Sequence, residues 1–193
     1  MTDTISSQPP RVIITLNNKS CGKTLLQQLL GDACLRSGYT IQYFQSDSQP
    51  YLGPYGETQT IPLATTSEML EDSTTDVERH DVVLQAVKSL PDKPRHLLGY
   101  DAGANTAERI TNLMAIIRMN ERVLAAGIKG LGVIPVTSRE DIIESGSEAV
   151  ALLKRALPDF EVMIAISQRD GDPRRLDKDH AFWRLLAQAD RTV

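Results

Sequence analysis

Residues 11–24 have the sequence RVIITLNNKSCGKT. The first six are mainly apolar and β-branched, which predicts a short buried strand over 11–16. The polar residues and the glycine that follow are typical of a loop. Leucines at helical spacing then predict a helix over 23–37, which ends at Gly38. We therefore expect a strand, a loop and a helix in direct succession near the N-terminus.

This loop carries the end of a phosphate-binding pattern, G-x-x-x-x-G-K-[ST], which lies between a strand and a helix. Gly22 would let the backbone approach a phosphate, Lys23 would reach the β- and γ-phosphates, and Thr24 would offer its hydroxyl to Mg²⁺. Asn17 replaces the first glycine, and because Asn tolerates a positive φ we expect the loop to close there. A GKT at a helix start can also satisfy the helix N-terminus alone. We predict that the phosphates are held by Asn17, Asn18, Lys19, Ser20, Cys21, Gly22, Lys23 and Thr24.

Strand and helix patterns alternate along the rest of the chain. Further strands are predicted over 39–45, 96–100, 131–136 and 161–167, and helices over 67–90, in one or two pieces, 107–126, 138–157 and 177–189. Residues 46–66, rich in proline and glycine, are predicted to form a long surface loop. Crossovers of this length predict an α/β fold, a mainly parallel, twisted, doubly wound sheet with helices on both faces.

Composition limits the range of functions. The chain has 193 residues, 41% of them hydrophobic, which suits one domain over 11–193 after a flexible lead over 1–10. Its net charge of -4 does not favour general binding of polyanions. Its two cysteines and three histidines form no zinc or disulfide pattern. There is no signal-peptide or membrane-span pattern, so the expected location is the cytoplasm.

The loop resembles the deviant Walker A loop of the ParA/MinD superfamily, whose usual form is KGGxGK[ST]. That family often lacks the first Walker glycine, where Asn17 stands here. Asn18 falls on the family's signature lysine, which crosses a dimer interface to the partner's nucleotide, and Lys19 lies one place later. Lys19 and Ser20 replace the two glycines, and Cys21 falls on the variable site.

Two further segments support the resemblance. After its second strand the family has a D-x-D-P-Q-like segment, and residues 45–49 read QSDSQ, so Asp47 falls on the water-orienting aspartate. Asp101 follows the third main strand and precedes small residues, like the family aspartate that supports Mg²⁺. The alternatives are a helix N-cap or loop carboxylate for Asp101 and a turn-forming residue for Asp47.

The resemblance implies a switch that binds ATP and Mg²⁺ and hydrolyses ATP slowly. Lys23 and Asp47 would serve catalysis, while Thr24 and Asp101 would hold the metal. It also implies a nucleotide-dependent homodimer that positions a cargo, such as a plasmid or a conjugation complex, through a partner protein. The alternative is a non-hydrolysing adaptor that binds a partner protein. A small-molecule kinase would need an arginine lid, for which the candidates are Arg169, Arg174 and Arg175.

The C-terminal region allows more than one interpretation. An amphipathic helix is predicted around Phe182, Trp183, Leu185 and Leu186. It would either dock on the sheet or lie on a membrane, and nearby aspartates favour docking, so membrane contact is not expected. The preceding loop could contact DNA nonspecifically, pack on an adenine base, or simply be solvated, which its acidic residues favour. Its basic residues are Arg169, Arg174, Arg175 and Lys178.

Overall fold

The computed structural model describes residues 11–46 and 51–193. The strands are β1 (Val12–Thr15), β2 (Thr40–Gln45), β3 (Glu57–Thr60), β4 (His96–Asp101), β5 (Gly130–Val136), β6 (Glu161–Ile166) and β7 (Arg191–Thr192). In this part of the chain they form one sheet in the order β3-β2-β4-β1-β5-β6-β7. Every neighbouring pair is parallel, which confirms the predicted parallel sheet.

Helices cover both faces of this sheet, as predicted. They are α1 (Lys23–Arg36), α2 (Thr66–Glu71), α3 (Thr75–Arg79), α4 (Asp81–Ser89), α5 (Ala107–Ile116), α6 (Met119–Ala125), α7 (Glu140–Ala156) and α8 (Ala181–Leu186). Buried side chains of α4 to α8 join one hydrophobic core, whereas α1 packs on the opposite face in a smaller core. No helix in the described ranges is both long enough and apolar enough to cross a membrane.

Strand β1 lies in the middle of the sheet, between β4 and β5. Its side chains alternate between the two cores, with Val12 and Ile14 in the larger one and Ile13 in the smaller one. Because the strands are parallel, their carboxyl ends meet at one edge of the sheet. The loops that follow β1, β4, β5 and β6 are therefore brought together there.

The prediction of a long loop over 46–66 is wrong at residues 57–60, which form β3 beside β2. The sequence ETQT has no apolar alternation because this strand is largely exposed on both faces. Leu52 and Ile61, on either side of it, are buried and anchor the segment. Strand β7, of two exposed residues, was also not predicted.

The predicted helices differ from the observed ones at their breaks. The single helix over 107–126 is interrupted at Arg118, which has a left-handed φ of 54°. This turn lets both Ile117 and Met119 enter the core, at 4% and 1% exposure. The helix over 67–90 is three helices, since residues around Asp72 and His80 end α2 and α3.

The C-terminal helix is shorter than predicted and spans six residues rather than 177–189. The His180 side chain accepts a hydrogen bond from the backbone N–H of Phe182 and starts the helix there. Phe182 and Leu185 are fully buried in the larger core. The docked arrangement is therefore the one observed.

Candidate nucleotide site

The phosphate loop, residues 17–24, lies at the carboxyl edge of the sheet between β1 and α1. Gly22 precedes α1 with a φ of 96°, a left-handed conformation that disfavours any residue with a Cβ atom. No side-chain hydrogen bond caps this end of the 14-residue helix. The cavity at this point, the phosphate cavity, has a volume of about 240 Å³ and is lined by Gly22, Lys23, Thr24 and Asp101, among others.

Lys23 brings positive charge to this cavity although it is only 7% exposed. Its Nζ donates a hydrogen bond to the carbonyl oxygen of Lys19 at 2.9 Å, so the ammonium group connects the end of the loop to its middle. The partial positive charge of the α1 N-terminus adds to it. The loop therefore attracts anions both through backbone N–H groups and through a buried ammonium.

Asp101 and Thr24 form the polar floor of the phosphate cavity. The Thr24 hydroxyl donates to Oδ2 of Asp101 at 2.6 Å, and the Thr15 hydroxyl donates to Oδ1 at 3.0 Å. Asp101 is 3% exposed and does not cap α5, whose N-cap is Thr106. One carboxylate and one hydroxyl fit Mg²⁺, which prefers oxygen ligands and takes most of them from water and substrate phosphates.

Asn17 closes the loop by a different route from the one predicted. Its backbone φ is not positive, so the loop closes there, as predicted, but not through the positive φ that was the reason for the prediction. Its side chain is fully buried and donates to the carbonyl oxygen of Pro135 at 3.1 Å. The Oδ1 atom accepts from the Lys19 N–H at 3.0 Å and from the Ser145 hydroxyl at 2.8 Å. Two of these three hydrogen bonds hold the start of the loop to β5 and α7, and the third lies within the loop.

Asn18 is also turned toward the protein. Its Oδ1 accepts from the backbone N–H of Ala107, the first residue of α5, at 3.0 Å. Thr106, the N-cap residue, makes no capping bond of its own, so Asn18 supplies the cap from another part of the chain. Its carbonyl oxygen accepts from Asn105 N–H at 3.0 Å. The side chain at the signature-lysine position is therefore hydrogen-bonded to another part of the same chain, whereas the neighbouring Lys19 is exposed.

The middle of the loop consists of Ser20 and Cys21. Burial raises the pKa of the Cys21 thiol, so the group stays protonated and serves as a small packing residue. The carbonyl oxygen of Ser20 accepts from Nη2 of Arg169 at 3.3 Å. This contact joins the phosphate loop to the loop that follows β6.

The end of β2 lies beside the same cavity. Gln45 is opposite Asp101 in the register of β2 and β4, and it is buried. The next residue, Ser46, accepts a hydrogen bond at its Oγ from the N–H of Gly103 at 2.7 Å. The predicted water-orienting residue, Asp47, lies outside the described residues.

A second cavity, the apolar cleft, was not predicted. It has a volume of about 330 Å³ and shares Cys21, Gly22, Leu25 and Arg169 with the phosphate cavity. Its other walls come from α1 and from the ends of β5 and β6 and include Leu29, Pro135, Ala165 and Ile166. The sequence did contain one sign of this cleft, because α1 has more leucines than the core uses. Leu25 and Leu29 are 59% and 60% exposed rather than part of the core.

Of the basic residues after β6, only Arg169 lines these two cavities. Arg174, Arg175 and Lys178 are exposed on the surface. The prediction of a solvated loop therefore holds for these three residues, whereas Arg169 lines both cavities of the candidate site.

No protein-family model matches this sequence, and no curated protein matches it. Solved structures do resemble it. The signal recognition particle receptor FtsY from Elizabethkingia anophelis, in complex with GDP, superposes with a TM-score of 0.58 at 14% identity and covers 100% of this chain and 58% of its own. The signal recognition particle 54 kDa protein from Aeropyrum pernix K1, in complex with GDP, gives 0.57 at 12% identity and covers 95% and 40%.

A third similar structure is FlhF complexed with GTP and Mg²⁺, with a TM-score of 0.52 at 14% identity and coverage of 96% and 63%. This chain spans less than two thirds of the length of each of the three. At such low identity the likeness concerns architecture alone. This chain has the α/β fold of the P-loop NTPases.

Proposed function

We propose that this chain is a switch protein that binds a nucleoside triphosphate together with Mg²⁺. The observation that carries the proposal is the contact between Thr24 and Asp101 beside the buried ammonium of Lys23. A phosphate ligand needs positive charge, and its metal needs oxygen atoms next to that charge. The phosphate cavity places both kinds of group along one wall.

Each group has a separate role in this proposal. The N–H groups after Gly22 bind phosphate oxygens, and Lys23 neutralises the charge of the terminal phosphate. Thr24 and Asp101 hold Mg²⁺, which when bound neutralises charge on the phosphate oxygens. The apolar cleft receives the base, because it is apolar and shares four lining residues with the phosphate cavity.

ATP is the proposed nucleotide because the loop resembles that of the ParA/MinD superfamily. The similar solved structures instead contain GDP or GTP, so both nucleotides belong in the test. Slow hydrolysis, with Asp47 orienting the attacking water, belongs to the same proposal. So do a nucleotide-dependent homodimer, a partner protein that carries a cargo, nonspecific contact with DNA, and action in the cytoplasm.

A non-hydrolysing adaptor is a second candidate, which one observation favours. The side chain of Asn18 is bonded to Ala107 and thus does not reach outward as the family's signature lysine does. A chain of this kind would bind nucleotide and a partner protein without turnover. Phosphate release from ATP separates the two candidates, since only the switch hydrolyses the nucleotide.

Two lysines of the phosphate loop provide a matched test. Lys23 is buried at the cavity and Lys19 is exposed. We expect Lys23→Ala to weaken binding of Mg·ATP about 100-fold, since a hydrogen bond to a charged group contributes up to about 3 kcal/mol. We expect Lys19→Ala to change it less than about threefold, as exposed charges contribute little.

Calorimetric titration of both variants with Mg·ATP and Mg·GTP measures this difference, and size-exclusion chromatography with ATP measures dimer formation. Equal affinities for the wild type and Lys23→Ala would contradict the proposal. Dimer formation with ATP that is lost in Lys23→Ala would support the switch over the adaptor.

A further inference from the structure

Arg169 stands at the boundary between the phosphate cavity and the apolar cleft and lines both. Its Nη2 donates to the carbonyl oxygen of Ser20 in the phosphate loop at 3.3 Å. The same guanidinium forms an ion pair with Asp170 at 3.2 Å, and the Arg169 side chain is 51% exposed. One face of this group is therefore available at the mouth of both cavities.

A nucleotide that occupies both cavities must pass this boundary. This step depends on the proposed function, which places the terminal phosphates beside Lys23 and the base against Leu25 and Leu29. The part of a nucleotide between these two ends is the α-phosphate with its sugar. Arg169 is the charged residue that both cavities have in common among the described lining residues.

The Asp170 carboxylate accepts from Nε and Nη2 of Arg169, and Nη2 also donates to the Ser20 carbonyl, an acceptor that a phosphate can replace. The carbonyl oxygen of Ser20 is neutral and lies at 3.3 Å, a long distance for a hydrogen bond to a guanidinium. A phosphate group is anionic, and two of its oxygens can accept parallel hydrogen bonds from the guanidinium edge formed by Nη1 and Nη2. Arg169 would then exchange the weak Ser20 acceptor for a strong one and keep its ion pair with Asp170.

The loop around Arg169 is held in place before any ligand arrives. The hydroxyl of Ser138 donates to the carbonyl oxygen of Asp170 at 2.6 Å, which ties the loop after β6 to the loop after β5. The Asp170 carboxylate also accepts from Nε of Arg169 at 3.3 Å. Such preorganisation lowers the conformational entropy that a long side chain loses on binding.

We propose that Arg169 is a nucleotide-binding residue that contacts the α-phosphate and joins the base end of the site to its phosphate end. It therefore strengthens the binding of diphosphates and triphosphates alike. It contributes nothing to a ligand that has only the two terminal phosphates. Arg169 therefore differs from Lys23, which strengthens the binding of triphosphates, diphosphates and pyrophosphate alike.

The same loop contains a matched control. Arg174 forms an ion pair with Asp172 at 2.9 Å, and its side chain is 58% exposed, so it resembles Arg169 in chemistry and exposure. It does not line the phosphate cavity or the apolar cleft. Replacing it removes the same charge from the same loop without touching the proposed contact.

The test measures the affinities of the wild type, Arg169→Ala, Arg169→Lys, Arg174→Ala and Lys23→Ala for ATP, ADP and inorganic pyrophosphate, all with Mg²⁺. We expect Arg169→Ala to weaken ATP and ADP by about tenfold each and pyrophosphate by less than about twofold. Arg169→Lys should recover part of the loss, because an ammonium keeps the charge without the fork. Arg174→Ala should match the wild type, and circular dichroism checks that each variant is folded.

If Arg169→Ala weakens ADP no more than Arg174→Ala does, while Lys23→Ala abolishes binding, the assignment of Arg169 is wrong and the proposed function stands. An equal loss for pyrophosphate and ADP would also overturn it, since Arg169 would then act only through the loop at Ser20. If the wild type binds none of the three ligands, the proposed function fails and this inference fails with it.

Discussion

The two halves of the phosphate loop differ in what they contact. The inner half, Asn17 and Asn18, turns its side chains into the protein and bonds to β5, α5 and α7. The outer half, Gly22 to Thr24, lines a cavity at the edge of the sheet. The departures from the usual motif fall in the inner half and at the adjacent Lys19 and Ser20, while GKT is retained in the outer half.

This difference explains how the motif can change without loss of the loop. The inner half only has to hold the loop in place, and buried hydrogen bonds of Asn17 do so without a positive φ. The outer half needs a left-handed residue, an ammonium and a hydroxyl, and few residue types supply them. Substitutions in the inner half should therefore change stability, and those in the outer half should change ligand binding.

The largest expected effect comes from Asn17→Gly, which restores the glycine of the motif. It removes three hydrogen bonds, two of them buried, so we expect the free energy of unfolding to fall by about 3 kcal/mol. Urea denaturation measures this change. Ser20→Gly, at an exposed position of the same loop, controls for added backbone freedom. A stability for Asn17→Gly equal to that of the Ser20 control would show that the inner half does not hold the loop.

Thr24→Ala tests the outer half. Removing the hydroxyl that contacts Asp101 should lower the gain in ATP affinity that Mg²⁺ provides by about tenfold. Titrations with Mg²⁺ and with excess EDTA measure this gain. Thr24→Ser keeps the hydroxyl and should behave like the wild type. A Thr24→Ala variant with the full Mg²⁺ effect would remove Thr24 from the metal site.

Asn18→Ala tests the cap that the inner half provides to α5. The loss of the bond to the Ala107 N–H should lower the free energy of unfolding by about 1 kcal/mol, the usual contribution of a helix cap. Thermal unfolding measures the change, and Asn18→Asp, which keeps an acceptor oxygen, should lose less. Asn18→Ala and Asn18→Asp variants of equal stability would contradict the capping role.

The smallest effect concerns His80, which supports β4 from the face of the sheet opposite α1. Its ring bonds to the hydroxyl of Tyr100, the residue before Asp101, at 2.8 Å, and desolvation lowers its pKa below the ordinary value of 6.5. Below about pH 6.5 the unfolded chain therefore binds a proton that the folded chain does not. This proton uptake makes the folded state less stable as the pH falls.

Melting temperatures between pH 7.5 and 5.5 measure this contribution. We expect His80→Gln, which does not titrate but can still bond to Tyr100, to lose less stability over this interval than the wild type. Its affinity for ATP should stay within about twofold of the wild type, since His80 does not line the phosphate cavity. An identical pH slope in both proteins would show that His80 does not titrate in the folding transition.

The strand, loop and helix over 11–37 could be predicted because the spacing of the apolar residues and the residues typical of a turn are all found within this one short segment. Asp101 could also be placed, since a carboxylate at the end of a buried parallel strand must reach the carboxyl edge of the sheet. Strand β3 could not, because its ETQT sequence is exposed and lacks an apolar face.

The contacts of the inner half could not be predicted either. Asn17 and Ser145 are 128 positions apart, and Asn18 and Ala107 are 89 apart, so no local pattern relates them. The break at Arg118 depends on how two neighbouring side chains fit the core. Tertiary packing decides such features, and local propensity does not show them.

The most direct measurement is the change in backbone amide chemical shifts, by nuclear magnetic resonance, when Mg·ATP is added to the ¹⁵N-labelled protein. We predict the largest shifts at Gly22, Lys23 and Thr24, with the backbone amides of Asn17 and Asn18 nearly unchanged because the side chains of both residues remain bonded to the protein. Shifts that concentrate elsewhere while these three amides stay in place would contradict phosphate binding at the start of α1.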